Sequence, residues 1–278
     1  MSEAILNTQL QALRLSQMKA NWKTLEQHAI ASGWPPATLL QQLCELELEH
    51  RQQQRFRRHL KEAKLPAGKS VNTLQLDALQ GVNPNVIRHL GDQHDWLEQG
   101  DNLLLFGASG LGKTHIAAAI GKELISHGIR GRFYSATELV QHLQEARQAL
   151  KLNETLLKLD RYRFLIIDDI GYVSRDQQET SVLFELIAHR YERASLIITA
   201  NQPFSEWHSI FADKSMTVAA VDRLIHHAHI IELQGESYRK ASAQRRAHAA
   251  VEADATASDE KTASDRPNGA TREVAPSC

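Results

Sequence analysis

Gly107-Ala108-Ser109-Gly110-Leu111-Gly112-Lys113-Thr114 joins one apolar run, Leu103–Phe106, to another, Ile116–Ile120. Strand, glycine-rich loop and helix, in that order, are what a phosphate-binding loop requires. Glycines let the backbone curl so that consecutive N–H groups point into one concavity, and the helix adds the positive end of its dipole. We therefore predict that this loop binds the phosphates of a nucleotide, with Lys113 at the β- and γ-phosphates and the Thr114 hydroxyl on Mg²⁺.

Length, charge and cysteine content restrict the class of protein. The chain has 278 residues, a formal net charge of −1 and two cysteines, Cys44 and Cys278. This length suffices for one large domain and a smaller one, and the near-zero charge means that any nucleic-acid surface must be local. The positions of the cysteines suggest no structural disulfide, which fits a reducing cytoplasm. Because there is neither a membrane-spanning apolar run nor a secretory signal, we expect a cytoplasmic protein and no membrane.

Four segments of the chain differ in pattern. Residues 1–65 are predicted to form a helical N-terminal domain, with one helix before the break at Gly33-Trp-Pro-Pro36 and another after it. Residues 66–100 form a connector, and residues 101–246 alternate strand and helix. Residues 247–278 contain no Leu, Ile, Phe, Tyr or Trp, so we expect a disordered tail that cannot bury enough apolar surface to fold.

The strands of residues 101–246 are uniformly apolar, which is typical of strands covered on both faces. Their alternation with helices predicts an open, mostly parallel α/β sheet. The predicted strands are Leu103–Phe106, Gly131–Ser135, Phe164–Asp168, Leu196–Thr199 and His229–Leu233.

The second predicted helix has a divided charge, with acidic residues first and basic residues after them. One interpretation is a solvated face that also complements the negative end of the helix dipole. The other is a contact surface for DNA phosphates or a protein partner, and the sequence leaves both open. The basic residues, opposed only by Glu62, are Arg51, Arg55, Arg57, Arg58, Lys61 and Lys64.

Two of the predicted strands lead into polar residues that suit a nucleotide site. Asp168 and Asp169 end one strand, and Asn201 closely follows another, Leu196–Thr199. Ligands of such sheets bind at the carboxyl ends of the strands. We predict that Asp168 orients Mg²⁺, directly or through water, and that Asp169 polarises the attacking water. Asn201 is predicted to sense the γ-phosphate or that water, although a simple turn before Pro203 is the alternative.

Nucleotide hydrolysis also requires positive charge against the transition state, and an arginine finger contributes about 10³–10⁵ in rate. Arg223 and Arg239 are the candidates. Arg190 and Arg193 are weaker candidates, with ordinary helix-surface charges as the alternative interpretation. The sequence does not show which arginine acts in its own subunit and which in a neighbour.

Three histidines, His226, His227 and His229, lie where a helix is predicted to lead into a strand. Their spacing lacks a partner set of cysteine or acidic ligands, which argues against a metal site there. We therefore expect Mg²⁺ bound with the nucleotide to be the only metal.

Several segments together resemble the IstB-type transposition helper ATPases, which belong to the AAA+ class near DnaC-type helicase loaders and DnaA-type initiators. The resemblance covers residues 5–245. The glycine-rich loop is common to nucleotide hydrolases, whereas Phe204-Ser-Glu-Trp207 and Gly235-Glu-Ser-Tyr-Arg239 are much more specific. The segments are Leu15–Met18, Leu60–Pro66, Gly107–Thr114, Phe164–Asp169, Ile197–Asn201, Pro203–Trp207, Leu224–His229 and Glu232–Arg239.

This resemblance implies an AAA+ P-loop α/β fold and an ATP-dependent regulator encoded beside a transposase in a bacterial insertion sequence. Such proteins assemble on DNA as ATP-bound oligomers and help select or remodel target DNA. By position, Lys113-Thr114 bind phosphates and Mg²⁺, Asp168-Asp169 form the acidic pair, and Asn201 is the first sensor. Arg223 falls where the class places its trans-acting finger, and Arg239 where it places its second sensor.

One departure from the family pattern concerns the acidic pair. Many relatives have Asp-Glu where this chain has Asp168-Asp169, and aspartate is shorter by one methylene, a reach of roughly 1.5 Å. We therefore expect either slow hydrolysis, which suits a timed switch better than a motor, or an Asp169 that acts through a slightly displaced water. From the resemblance we also expect DNA to stimulate the hydrolysis.

The resemblance also points to DNA contacts. In initiator-type relatives the region that corresponds to Glu138–Arg161 carries an inserted helix that approaches DNA. Tyr172, just after Asp169, is placed to stack on or abut a DNA strand. A solvated helix and a loop aromatic are the alternative. Backbone contacts would give steep salt dependence and little sequence preference. The basic residues of this region are Arg147, Lys151, Lys158 and Arg161.

Three other functions share the nucleotide chemistry. A replicative helicase loader differs only in its partner, and the two specific segments favour transposition over it. A small-molecule P-loop kinase would need an acceptor-binding domain and an arginine-rich lid. A non-catalytic ATP-binding scaffold is compatible with Asp169, and detectable turnover would exclude it.

Overall fold

The computed structural model describes residues 3–74, 82–172, 177–203, 206–207, 214–235 and 237. The predicted tail, 247–278, and Arg239 lie outside the described residues, as does the side chain of Tyr172. None of the helices in the described ranges combines the length and the apolar character that crossing a bilayer needs.

The N-terminal region is helical, with three helices where the sequence predicted two. They are α1 (Glu3–Ala12), α2 (Ser16–Ala31) and α3 (Pro36–Ala63). The predicted break before Pro36 is confirmed. The prediction of a single helix before it is wrong, because the chain turns at Arg14, whose φ is 57°. This turn folds α1 back on α2, and the Trp22 indole N–H donates to Asn7 Oδ1 at 3.0 Å across the pair.

The end of α3 packs on the remainder of the molecule. Ala63 is fully buried, and Glu62 accepts from the guanidinium groups of Arg130 at 2.8 Å and, through its carbonyl, of Arg132 at 2.7 Å. Arg51 pairs with the buried Glu47 at 3.0 Å within α3. The other members of the basic group, all exposed, are Arg55, Arg57, Arg58, Lys61 and Lys64.

The connector contains a 3₁₀ turn, Val71–Thr73, and two short helices, α4 (Pro84–Asp92) and α5 (Asp95–Gln99). The Asn83 side chain caps α4 by accepting from the Asn85 N–H at 2.9 Å, and Pro84 occupies the first turn, where its missing N–H has no cost.

The core is a five-stranded sheet in the order β2-β3-β4-β1-β5, with every neighbouring pair parallel. The predicted mostly parallel sheet is thus confirmed, and each strand lies within one residue of its predicted bounds. The strands are β1 (Asn102–Phe106), β2 (Gly131–Ser135), β3 (Phe164–Asp168), β4 (Ser195–Ala200) and β5 (Ala228–Glu232).

Helices cover both faces of the sheet, as the uniformly apolar strands predicted. In β1, Leu103 and Leu105 pack on the side that α4, α5 and the end of α3 cover, whereas Leu104 and Phe106 pack on the opposite side. This alternation follows from the two-residue period of a strand. The helices are α6 (Lys113–Ser126), α7 (Ala136–Gln148), α8 (Leu152–Leu159), α9 (Gln177–Arg190) and α10 (Lys214–Ile225).

Candidate nucleotide-binding site

The loop between β1 and α6 has a backbone that requires glycine. Gly107 and Gly110 have φ values of 136° and 89°. A Cβ on Gly107 would lie 2.5 Å from the carbonyl oxygen of Leu233, and a Cβ on Gly110 would overlap the Ser237 hydroxyl. The loop therefore curls as the sequence predicted, and the segment after β5 packs directly against it.

Lys113 begins α6, and its side chain turns back over this loop. It is only 5% exposed, and its ammonium group donates to the carbonyls of Gly107 at 2.7 Å and Ala108 at 2.9 Å. It also donates to Asn201 Oδ1 at 2.6 Å. Thr114 follows in the first turn of α6 and is half-buried. A buried cation surrounded by oxygen acceptors is thus the centre of the loop.

The acidic pair at the end of β3 is held by one hydroxyl. Thr199, fully buried in β4, donates to Asp168 Oδ1 at 2.7 Å, and its oxygen accepts from the Asp169 N–H at 2.8 Å. Asp169 has a φ of 57°, in the left-handed region that aspartate tolerates better than most residues. Thr199 therefore fixes both the side chain of Asp168 and the backbone of Asp169.

Sheet topology explains why these residues meet. β4 lies between β1 and β3, with Phe106 beside Ala200 and Ile167 beside Ile198. The residues after these parallel strands consequently share one edge of the sheet. The structure brings the glycine-rich loop, the acidic pair and Asn201 together there.

The candidate arginines lie elsewhere or outside the described residues. The Arg223 guanidinium stacks on the Phe184 ring of α9 at 5.3 Å and donates to the Ala219 carbonyl of its own helix at 2.9 Å. Arg239 is outside the described residues.

Arg190, a weaker finger candidate for which a helix-surface charge was the alternative interpretation, is not a surface charge. It is 1% exposed and donates to the carbonyls of Tyr162 at 3.0 Å and Ser195 at 3.3 Å, at the amino ends of β3 and β4. Burial lowers its pKa to about 10. Its position, at the sheet edge opposite the glycine-rich loop, follows from tertiary contacts that its helical neighbours do not reveal. Arg193, by contrast, is exposed.

Most basic side chains of the region predicted to approach DNA have protein partners. Arg147 binds Ser181 and Glu185 of α9, Lys158 pairs with Glu154 at 2.6 Å, and Arg161 lies over the Tyr162 ring at 4.9 Å. The region forms two helices, α7 and α8, because Leu150 between them has a φ of 58°.

Sequence reasoning missed three side chains at the site: Thr199, Ser237 and His115. The His115 Nε2 atom lies 3.1 Å from the Ser70 carbonyl oxygen and 3.0 Å from Thr73 Oγ1. Burial lowers the pKa of His115. Of the three, only Thr199 could have been predicted from the sequence, because it is a polar residue at the end of a buried apolar strand. Ser70 and Thr73 lie far from His115 in sequence and gave no signal.

Comparisons with known proteins agree with this geometry. The family model described as IstB-like ATP binding protein matches residues 8–247. An insertion-sequence ATP-binding protein of Sinorhizobium fredii is 49% identical over 241 residues, covering 87% of this chain and 81% of that protein. The insertion sequence IS21 ATP-binding protein of Pseudomonas aeruginosa is 32% identical over 84% of this chain and 88% of its own length.

Solved structures show the same fold at low identity. The DnaC helicase loader superposes with a TM-score of 0.51 and 20% identity, over 62% of this chain and 100% of that one. AMPPCP-bound DnaA from Aquifex aeolicus gives a TM-score of 0.51 and 16% identity, over 62% of this chain and 52% of that one. The fold is therefore of the AAA+ P-loop type, and the chain belongs to the IstB-like ATP-binding protein family.

Proposed function

We propose that this chain is an ATP-hydrolysing, DNA-binding regulator that assists an insertion-sequence transposase in the bacterial cytoplasm by selecting or remodelling target DNA. The observation that carries the proposal is the contact of Lys113 with Asn201, on the sheet edge that also holds Asp168 and Asp169. Family membership supports the ATP-binding part. We retain the division into residues 1–65, 66–100, 101–246 and 247–278 as part of the proposal.

The residues present suit ATP with Mg²⁺. The loop combines left-handed glycines with the start of a fourteen-residue helix, and a buried ammonium group is available to exchange carbonyl oxygens for phosphate oxygens. Gly107–Thr114 would hold the phosphates, and Thr114 and Asp168 would hold Mg²⁺. The metal ion would neutralise charge that develops on the transferred phosphoryl group.

In the proposed reaction, Asp169 accepts a proton from the attacking water, and Lys113 and Asn201 bind the γ-phosphate. Thr199 is a positioning residue, since it orients Asp168 and anchors the backbone of Asp169.

Assembly into a homo-oligomer would complete this site. Arg223 is proposed to act on the nucleotide of a neighbouring subunit, and Arg239 as the second sensor of its own. ATP would stabilise the oligomer because it binds the assembled state better, and hydrolysis would release it.

The basic face of α3 is the DNA surface that we favour. Arg55, Arg57, Arg58, Lys61 and Lys64 are exposed there, whereas three of the four basic residues in Glu138–Arg161 have protein partners. Exposed cations free to meet phosphates would bind the DNA backbone with steep salt dependence.

The test is ATP hydrolysis with and without duplex DNA, alongside sedimentation of the same samples. We expect turnover and larger assemblies that require both ATP and DNA. Lys113→Ala should reduce turnover by about a hundredfold or more, whereas Lys122→Ala, on the same helix, should leave it unchanged. DNA-independent turnover by a monomer would overturn the proposal in favour of a small-molecule kinase or a helicase loader.

A further inference from the structure

A cluster of possible metal ligands lies where the amino ends of the parallel strands meet, which we call the amino edge of the sheet. The nucleotide loop lies at the carboxyl edge, where the strands end. Its members are Glu192, in the connection from α9 to β4, and His226 and His227, in the turn from α10 to β5. One ligand atom of each residue lies within 4.8 Å of those of the other two. All three side chains are exposed.

The sequence suggested no metal here because the spacing of the histidines lacks a partner set of cysteine or acidic ligands. Glu192 comes well before them, and the fold supplies this ligand because β4 and β5 both flank β1. The His227 carbonyl accepts from the Asn102 N–H at 2.8 Å, so the turn is attached to the start of β1. The spacing of the histidines along the chain is therefore no argument against a metal site, because the fold brings an acidic ligand to them.

The geometry points to a site for Zn²⁺ or a similar first-row divalent ion, and we propose that Glu192, His226 and His227 bind it. Two imidazoles and one carboxylate are a common zinc donor set, and three protein ligands leave a position for water. The ring centroids of His226 and His227 are 4.2 Å apart and the ring planes are inclined at 66°, which is an edge-to-face contact between neighbouring rings.

Closure of the site requires movement of exposed side chains. Donors bound to one zinc ion at about 2.0 Å lie roughly 3.3 Å apart in a tetrahedron. Because the three ligand atoms lie within 4.8 Å of one another, they must approach by at most about 1.5 Å. His226 Nδ1 lies 2.9 Å from the Tyr191 hydroxyl and 3.9 Å from Glu192 Oε1. Binding of the ion through Nε2 would keep Tyr191 as an outer partner that orients the ring, whereas binding through Nδ1 would displace Tyr191. The bound ion would join the α9–β4 connection to the end of α10, the helix that carries Arg223.

The experiment is calorimetric titration of Zn²⁺ into the full chain, prepared without a histidine tag and with Mg²⁺ present throughout. A parallel titration with Co²⁺ would report ligand geometry by visible absorption. We expect one ion per chain. Loss of an outer partner typically weakens metal binding by about 10–100-fold, so Glu192→Gln and His226→Ala, which remove ligands, should weaken it at least about tenfold.

His229→Ala is the matched control, since this histidine belongs to the same run but faces Asp101 at 4.0 Å. It should bind Zn²⁺ as the unaltered chain does. Absence of stoichiometric binding, or equal weakening by Glu192→Gln, His226→Ala and His229→Ala, would overturn the proposal. ATP hydrolysis with Mg²⁺ should be unchanged in Glu192→Gln and His226→Ala, because the three proposed zinc ligands lie at the opposite sheet edge from Lys113.

Discussion

The two edges of the parallel sheet use buried polar side chains in different ways. At the amino edge, Arg190 donates to the carbonyls of Tyr162 and Ser195, while Asn102 accepts from the Leu196 N–H at 2.9 Å and donates to the Leu224 carbonyl at 3.2 Å. At the carboxyl edge, side chains also bind one another, as Lys113 does with Asn201.

This difference suggests that the buried polar side chains of the amino edge stabilise the fold, whereas those of the carboxyl edge bind a ligand. A side chain that donates to backbone carbonyls supplies hydrogen bonds that the fold would otherwise lack, and its removal takes that donor away from buried acceptors. Side chains that bind one another beside a curled glycine loop are free to exchange partners for a ligand. Lys113 has both kinds of partner, since it donates to the Gly107 and Ala108 carbonyls as well as to Asn201. The additional side-chain partner beside the glycine-rich loop, and not burial alone, therefore distinguishes the two roles, and substitutions can test the distinction.

The largest expected effect is the loss of stability in Arg190→Ala. It leaves buried carbonyls of Leu159, Tyr162 and Ser195 without this donor and removes a large buried side chain. We expect the free energy of unfolding to fall by about 3 kcal/mol, as measured by urea denaturation.

Arg193→Ala is the control for this prediction, because Arg193 is exposed just beyond the end of the same helix. Its unfolding curve should match that of the unaltered chain. Should Arg190→Ala be as stable as Arg193→Ala, the amino edge would not depend on this side chain, and the comparison of the two edges would fail.

A smaller effect, on catalysis, is expected for Thr199→Val. Valine has nearly the same shape but lacks the hydroxyl that holds Asp168 and the backbone of Asp169. Since small misplacements of reacting groups are costly, we expect kcat to fall about tenfold to a hundredfold with little change in KM for ATP. Thr199→Ser, which keeps the hydroxyl, should restore most of the rate; equal loss in both variants would exclude the positioning role.

The sequence predicted the carboxyl edge far better than the amino edge, for a physical reason. The strands are apolar on both faces, and parallel strands bring the residues after them to one edge, so Lys113, Asp168 and Asn201 could be placed together from their order alone. Arg190 could not be placed, because its acceptors are backbone carbonyls brought near by tertiary packing. Glu192 and the two histidines illustrate the same limit, since their proximity depends on the order of β1, β4 and β5.

The smallest expected effect is a loss of stability in mild acid. Burial lowers the pKa of His115, and burial together with Arg130 lowers the pKa of His59. The unfolded chain, with histidine near pKa 6.5, therefore binds more protons than the folded chain just below that pH. Stability should be fully present above about pH 6.5 and should decrease as the pH falls through the lowered folded values, as thermal melts between pH 8 and pH 5 would show.

His115→Gln tests which histidine is responsible, because glutamine cannot titrate but retains a donor for the Ser70 carbonyl. We expect a smaller loss of stability in acid for this variant than for the unaltered chain, and no such change for His142→Gln, at an exposed position of α7. An undiminished acid effect in His115→Gln would assign the titration to His59, on the α3 side of the molecule. The contact between the connector and the first turn of α6 would then be insensitive to pH in this range.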